Sequence, residues 1–195
     1  MVYGQPAVAV PVTTLQARVV VRANLDQERG GMHISAPDIN LDANLLDLAR
    51  DHPLRVAVQA VLSELDIPNP PPCFVHITST IPVASGLGSS AAVSVALIKA
   101  VAGFIGQPLP DEKVSALAYE AEKVHHGTPS GIDNTVVTYA RPVYFRKDQG
   151  VETLPIGKAF SLLIGDTGHP SPTAETVRHV REARHEDPDR FHELF

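Results

Sequence analysis

The sequence has little of several residue types, and each shortage excludes a class of protein. There is no tryptophan, and the 195 residues include one cysteine, Cys73, so no disulfide can form within the chain. A lone cysteine is typical of a reducing compartment, and we therefore expect a cytoplasmic protein. Lysine and arginine total 16 against 22 acidic residues, the net charge is -6, and no basic block occurs. A nucleic-acid partner is therefore not expected.

Long apolar runs are also missing. The run at 7–12 is far too short to cross a bilayer, and no basic segment precedes it. Neither a membrane span nor a secretory signal is therefore expected. The composition, 44% hydrophobic and 19% charged, is that of an ordinary globular protein. A chain of 195 residues is long enough for one full domain and the beginning of a second.

Hydrophobic periodicity and turn residues predict a mixed order of strands and helices. Strands are predicted at 7–12, 17–23, 32–36, 73–81, 135–139, 142–146 and 160–165. Helices are predicted at 53–65, 89–104, 111–125 and 173–184. Pro53 suits the first position of its helix, and Asp111 suits an N-cap. A domain boundary is predicted near Gly157, which divides the chain into 1–156 and a short second unit, 157–195.

Several glycine, serine and alanine residues lie at the start of the helix predicted from Ser89. The segment "GLGSSAA" places Gly86 and Gly88 just before Ser89 and Ser90. It is not a Walker A loop, because no lysine follows the glycines. Glycines let the backbone approach a polyphosphate, and serine hydroxyls beside the positive end of a helix can bind phosphate or Mg²⁺. A plain Gly-Ser N-cap on a tightly packed helix explains the same residues, and both interpretations stay open.

A second segment, "HGTPSGIDN" at 126–134, predicts a tight turn with Asp133 at its exit. Glu122 precedes Asp133 near the end of the preceding predicted helix. A carboxylate pair, one holding a metal and one facing a substrate hydroxyl, is what phosphoryl transfer from MgATP requires. The alternative is that Asp133 and Asn134 only cap the turn, as Asx residues often do.

Together these segments resemble the GHMP kinases, a family of small-molecule kinases. "PVASGLGSSAA" at 82–92 is similar to the phosphate-binding motif of the family. "HGTPSGIDN" is similar to the next motif, in the version found in the mevalonate-phosphorylating members. "VYGQPAVAVPV" near the first residue and "HISAPDINL" at 33–41 are also similar, so the resemblance covers almost the whole chain.

The resemblance implies a role for each candidate site residue. The residues that would cradle the phosphates of ATP are Gly86, Leu87, Gly88, Ser89 and Ser90. Ser90 and Glu122 would hold Mg²⁺, and Asp133 would face the C5 hydroxyl of mevalonate as a base or charge stabiliser. Thr173 matches, more loosely, a threonine near the mevalonate site. The implied reaction is the ATP-dependent phosphorylation of mevalonate to 5-phosphomevalonate in isoprenoid biosynthesis.

The implied fold is a two-domain α+β architecture, with a ribosomal-protein-like βαβ first domain and a ferredoxin-like second domain. Family members usually carry a strand and a "GK…GEH" segment before the part similar to "VYG", and a glycine-rich third motif in the second domain. This sequence contains neither. We therefore expect an incomplete chain, with the first strand of the first domain missing and the second domain truncated.

Other functions stay open. The acceptor could be that of another GHMP kinase: a mevalonate 3-kinase, a phosphomevalonate kinase or a homoserine kinase. The 195 residues could instead be a non-catalytic fragment. Such a fragment is expected to be poorly soluble or self-associating through an open sheet edge, with weak MgATP binding and negligible kinase activity. A homodimer is also left open.

Overall fold

The chain forms a mixed α+β structure. The computed structural model describes residues 6–24, 31–83, 85–126, 129–146, 151–165 and 173–194, without the side chains of 125–126, 173–177 and 192–194. The strands are β1 (Ala7–Ala9), β2 (Ala17–Ala23), β3 (Met32–Ala36), β4 (Leu41–Asn44), β5 (Cys73–Ser79), β6 (Val143–Phe145) and β7 (Glu152–Thr153). The α-helices are α1 (Pro53–Glu64), α2 (Ser89–Ile105), α3 (Asp111–His126), α4 (Ile132–Tyr139), α5 (Thr173–Glu186) and α6 (Pro188–Leu194), and short 3₁₀ turns occupy Pro37–Ile39 and Leu45–Asp47.

The larger sheet has the strand order β2-β5-β3-β4. β5 pairs antiparallel with β2 and parallel with β3, while β4 pairs antiparallel with β3. Parallel strands need a crossover connection, and the segment between β3 and β5 contains α1. The βαβ arrangement implied by the resemblance is therefore present.

One face of this sheet forms the hydrophobic core. Every second side chain of the two central strands is buried, namely Met32, Ile34 and Ala36 on β3, and Cys73, Val75 and Ile77 on β5. The intervening side chains, such as His33 and Phe74, lie on the other face and are more exposed. α2 packs on β2 and β5, while α1 and α3 pack against α2 and against each other. This packing places the first turn of α2 and the last turns of α3 in one layer.

Local sequence explains where α1 begins and where α2 ends. Pro53 occupies the first turn of α1, where a missing N–H costs no hydrogen bond, and the preceding His52 caps the helix. α2 ends at Gly106, whose φ of 85° is a left-handed conformation that glycine adopts without a steric penalty.

A smaller antiparallel sheet has the order β1-β6-β7. β1 is an edge strand of this sheet in the described part of the chain. It has three residues, and its central residue Val8 is opposite Tyr144 of β6 and is exposed. The sheet lies beside α4, which contacts both β1 and β6.

Most predicted elements are confirmed, with shifts at their ends. The strands at 17–23 and 32–36 form as predicted, and the helices predicted from 53, 89, 111 and 173 all begin at those residues. The strands predicted at 7–12, 73–81 and 142–146 are shorter, covering Ala7–Ala9, Cys73–Ser79 and Val143–Phe145. Asp111 is the first helical residue of α3 rather than its N-cap, because the carbonyl of Pro110 accepts from the amide of Val114.

The strand predicted at 135–139 is wrong, because these residues belong to α4. Their β-branched side chains favoured a strand in the sequence. In the fold, Ile132 and Val136 lie one turn apart and are both buried, and α4 packs against α2 and α3. Burial of this helical face outweighs the local preference.

The strand predicted at 160–165 is also wrong. Residues 161–165 have no regular secondary structure and neither described sheet includes them. Leu163 is fully exposed, and Phe160, Leu162 and Ile164 are at least half exposed. A strand needs a hydrogen-bonded neighbour, and no described strand supplies one here. The domain boundary near Gly157 stays a prediction.

No helix in the described residues is long and apolar enough to cross a membrane.

Candidate functional site

The first turn of α2 presents backbone N–H groups without a side-chain cap. Gly86 and Gly88 have φ of 73° and 67°, so both adopt the left-handed conformation for which glycine is suited. Gly88 is the N-cap residue, and no side chain caps the helix there. No acidic residue occupies the first turn of α2. The glycine of the Gly-Ser segment is therefore the N-cap, and Ser89 and Ser90 are the first two helical residues, so neither serine side chain caps the helix.

Ser90 and Glu122, the two predicted metal ligands, are in direct contact. The Ser90 hydroxyl Oγ donates to Glu122 Oε1 at 2.6 Å, across 32 residues of sequence. Glu122 lies on α3 and is only 3% exposed. A hydroxyl–carboxylate hydrogen bond of this length is of the strong, charge-assisted type. The packing of α2 on α3 thus brings a buried carboxylate to the mouth of the glycine-serine loop.

The second predicted carboxylate, Asp133, lies on α4. It belongs to the first turn of α4, where a negative charge suits the helix dipole, and its side chain is exposed. A Cβ atom placed on Gly88 would lie 3.7 Å from Asp133 Cβ and 3.9 Å from Asp133 Oδ1. Asp133 therefore adjoins the loop that ends at Ser89 and Ser90.

The remaining predicted residues have different outcomes. Leu87 lies between the two glycines and is half-buried. Thr173 is the first residue of α5, but its side chain lies outside the described residues. The structure thus brings together Gly88, Ser90, Glu122 and Asp133, and the prediction for the Thr173 side chain lies outside the described residues.

The oxygen ligands of the cluster suit Mg²⁺, which takes few protein ligands, better than they suit a metal ion bound only by protein side chains. No group of three or more His, Cys, Asp and Glu side chains that could hold a metal occurs in the described residues. Mg²⁺ is usually bound by one or two protein oxygens, with substrate phosphates and water completing its shell. The Ser90 hydroxyl and the Glu122 carboxylate form such a pair, so the residues present fit this ion.

Sequence reasoning missed the aromatic residues that hold the turn before Asp133. Gly131 has a φ of 88°, and a Cβ there would lie 3.3 Å from Phe145 Cζ and 3.5 Å from Tyr119 Cε2. The Tyr119 hydroxyl also donates to the carbonyl of Pro129 at 3.3 Å. Tyr119 precedes Glu122 by one helical turn, and that spacing was the available signal for its place near the site.

A groove of about 580 Å³ adjoins this turn without including the cluster. It is lined by residues of α3, the turn before α4, α4 and β6, including Tyr119, Ser130, Tyr139 and Phe145. Burial raises the pKa of Tyr139, and the nearby carboxylates of Glu112 and Asp111 raise it further. None of the residues from Gly86 to Ser90, nor Glu122 or Asp133, lines the groove.

The chain is similar in sequence to known proteins. Residues 52–141 match the family described as GHMP kinases N terminal domain. The mevalonate kinase of Thermococcus gammatolerans is 34% identical over 204 residues, which cover 97% of this chain and 59% of that protein. The chain therefore spans little more than half the length of this curated relative.

Solved structures of mevalonate kinases show the same fold. The L. major enzyme, solved in complex with R-mevalonate, is 26% identical with a TM-score of 0.70, and the match covers 99% of this chain and 59% of that one. The Methanococcus jannaschii enzyme is also 26% identical, with a TM-score of 0.67 over 79% of this chain and 50% of that one. Both matches show that the described fold is similar to that of mevalonate kinases.

Proposed function

This chain belongs to the GHMP kinase family, and from that premise we propose that it provides the phosphate-binding part of an enzyme that phosphorylates mevalonate with ATP. The observation that carries the proposal is the hydrogen bond of 2.6 Å between Ser90 and Glu122 at the first turn of α2. The side chain of Asp133 lies beside Gly88, the N-cap residue of the same helix. A hydroxyl, a buried carboxylate and an exposed carboxylate therefore lie near one helix terminus.

The loop from Gly86 to Ser90 would hold the phosphates of ATP. The uncapped N–H groups of the first turn of α2 are donors for phosphate oxygens, and the helix dipole favours negative charge at that end. The absence of a side chain at Gly86 and Gly88 would let the phosphates approach the backbone closely.

Ser90 and Glu122 would hold Mg²⁺ beside those phosphates. The ion, when bound, would supply positive charge that offsets the charge on the transferring phosphoryl group. Glu122 is buried in the packing of α3, so its carboxylate is held in one place. The hydrogen bond from Ser90 would orient that carboxylate toward the loop.

Asp133 would act on the acceptor alcohol. In the proposed reaction, the hydroxyl oxygen of mevalonate attacks the γ-phosphorus, and the bond between that phosphorus and the β–γ bridging oxygen breaks. ADP leaves with the bridging oxygen, and the carboxylate of Asp133 takes or stabilises the hydroxyl proton. Its exposed position beside Gly88 leaves room for the alcohol next to the phosphates.

Mevalonate is the favoured acceptor because of the relatives that this chain resembles. The Thermococcus gammatolerans protein is named a mevalonate kinase, and the L. major structure contains R-mevalonate. We extend that acceptor to this chain, with phosphorylation at the C5 hydroxyl and Thr173 on the acceptor side. The competing reactions are phosphorylation of mevalonate at C3, of phosphomevalonate and of homoserine.

The test is an ADP-release assay with a panel of alcohols. The longest protein that contains this chain is offered mevalonate, phosphomevalonate, homoserine and galactose, and the 195-residue chain is assayed beside it. NMR spectroscopy of the product distinguishes phosphorylation at C5 from phosphorylation at C3. Preference for another alcohol would overturn the mevalonate proposal, whereas no turnover with any alcohol would overturn the kinase proposal.

Asp133→Asn is the variant that tests the role of the carboxylate. We expect turnover to fall by about 10²–10⁴-fold, which is typical for a lost catalytic base. MgATP binding, measured by calorimetry, should change little because the α2 loop is intact. Asp111→Asn is the matched control, since Asp111 also starts a helix but forms an ion pair with Lys99. Equal turnover in the two variants would remove Asp133 from the reaction.

A further inference from the structure

Asn134 follows Asp133 directly, yet its side chain points into the protein. It is 4% exposed, and its Nδ2 group donates to both the carbonyl oxygen and the hydroxyl Oγ of Ser115, each at 3.0 Å. Ser115 lies on α3 and is itself buried. Two hydrogen bonds from one amide therefore join the first turn of α4 to α3.

We propose that Asn134 is a positioning residue that sets the rotation of α4 and thereby aims Asp133 at the glycine-serine loop. This inference rests on the proposed role of Asp133 in phosphoryl transfer. The amide nitrogen of Asn134 makes both of these hydrogen bonds to Ser115 within the protein, and the side chain is buried. Asn134 therefore acts through Asp133 and does not contact the substrate.

α4 depends on its neighbours for its orientation. It has eight residues, and isolated helices shorter than about 12–15 residues are marginal in water. At its other end, Lys99 donates to the carbonyl of Thr138 at 3.1 Å. The hydrogen bonds of Asn134 hold the first turn of α4, and Asp133 is the preceding residue in that turn.

The geometry makes Asp133 sensitive to a small rotation. A side-chain end lies about 5–6 Å from the helix axis. A rotation of α4 by about 20° would therefore move the Asp133 carboxylate by roughly 2 Å relative to Gly88. Misplacement of a reacting group by about 1 Å can cost about 10²-fold in rate.

The amide of Asn134 suits this role better than a carboxylate would. The carbonyl oxygen of Ser115 can only accept, so the group facing it must donate. Asn134→Asp would place two acceptors against each other in a buried site. Asn134→Ala removes both hydrogen bonds without that repulsion, and Ser115→Ala removes only the one to the hydroxyl.

The test compares these variants with Thr135→Val in the longest protein that contains this chain. Thr135 is as buried as Asn134, but its hydroxyl donates to the carbonyl of Gly131 at 2.6 Å, within the same turn. Thr135→Val therefore loses a buried hydrogen bond without releasing α4 from α3. Circular dichroism and thermal melting confirm that each variant is folded.

For Asn134→Ala we expect kcat to fall by about 10–100-fold, while the KM for MgATP stays within about twofold, because the α2 loop does not depend on Asn134. Ser115→Ala should lie between this variant and the wild type. Thr135→Val should keep kcat within about twofold even if it lowers the melting temperature equally. Equal kcat in Asn134→Ala and Thr135→Val would overturn the inference.

A second measurement separates this inference from the proposed function. The ¹³Cγ resonance of Asp133, assigned with Asp133→Asn, is recorded without substrate. Asn134→Ala should shift this resonance, and Thr135→Val should not. An unchanged resonance in Asn134→Ala would overturn the positioning role, whether or not the wild type phosphorylates any alcohol. Absence of turnover in the wild type, by contrast, would overturn only the proposed function.

Discussion

At the scale of single residues, the burial of Glu122 is the feature that most needs a function. Removing a carboxylate from water is costly unless hydrogen bonds or a cation compensate it. The hydroxyl of Ser90 supplies one strong hydrogen bond at 2.6 Å. A core position on α3 would be filled at lower cost by an apolar residue. The proposed metal-binding role would account for a carboxylate at this position.

Glu122→Gln tests that role at this same scale. Glutamine keeps the size of the side chain and can still accept from Ser90, but it removes the negative charge. We expect the Mg²⁺ concentration for half-maximal turnover to rise by about 10-fold or more, since changes around a metal site typically cost 10–100-fold in affinity. The measurement is ADP release at fixed ATP over a MgCl₂ titration.

Glu120→Gln is the matched control for this experiment. Glu120 lies two residues earlier on α3, is exposed, and forms an ion pair with Lys123 at 2.7 Å. Its replacement removes the same charge from the same helix but not from the cluster. An Mg²⁺ requirement that rises equally in both variants would point to a general charge effect and contradict the assignment of Glu122.

At the scale of elements, the N-cap of α1 makes the stability of this helix depend on pH. His52 is the N-cap residue, and its Nδ1 accepts from the amide of Leu54 at 3.3 Å. Burial lowers the pKa of His52 below its usual value of 6.5, and the nearby Asp51 opposes this shift. Protonation of Nδ1 would also remove the acceptor that caps the helix.

The lowered pKa predicts that α1 loses stability in mild acid. The unfolded chain binds a proton at His52 more readily than the folded chain between the folded pKa and 6.5. The contribution is therefore complete above pH 6.5 and is lost as the pH falls through that value toward the folded pKa. His52→Asn keeps a capping side chain that does not titrate.

The measurement is the difference in melting temperature between pH 7.5 and pH 5 for both proteins. We expect the wild type to lose more than His52→Asn, because other titrating groups affect both proteins alike. An equal loss in the two proteins would contradict a pH-dependent cap at His52.

At the scale of the whole molecule, Cys73 reports on the core. It is fully buried on β5, the strand that joins β2 to β3. Burial raises the pKa of its thiol to about 11, so little thiolate exists near pH 8. Both its inaccessibility and its pKa make this side chain unreactive while the sheet is folded.

We expect Cys73 to react with a thiol reagent such as DTNB at least about 10³-fold more slowly in native buffer than in urea, since access requires opening of the larger sheet. The chain has one cysteine, so the absorbance signal needs no assignment. When urea is raised in steps to 4 M, the rate at which Cys73 reacts with DTNB should increase at the same concentrations at which the helical circular dichroism signal is lost. Fast, stoichiometric labelling before that loss would reveal local opening of β5.

The elements whose local signals agree with their burial could be predicted from the sequence. β3 alternates apolar and polar residues and buries every second side chain, and α1 combines Pro53 with apolar residues at helical spacing. The glycine-serine loop, the carboxylates Glu122 and Asp133, and the resemblance to the GHMP kinases were also readable from the sequence. These signals are local, or depend on short motifs, so no tertiary contact was needed to find them.

The packing of the folded chain determines which of these residues meet and which form the later elements take. The contact of Ser90 with Glu122 spans 32 residues and arises from the packing of α2 on α3. The β-branched residues of α4 predicted a strand, but burial between neighbouring helices favours the helix. The bonds from Asn134 to Ser115 have no local signature at all. Hydrophobic burial and side-chain hydrogen bonding between distant segments are properties of the assembled fold, and they override or complete the preferences of each segment.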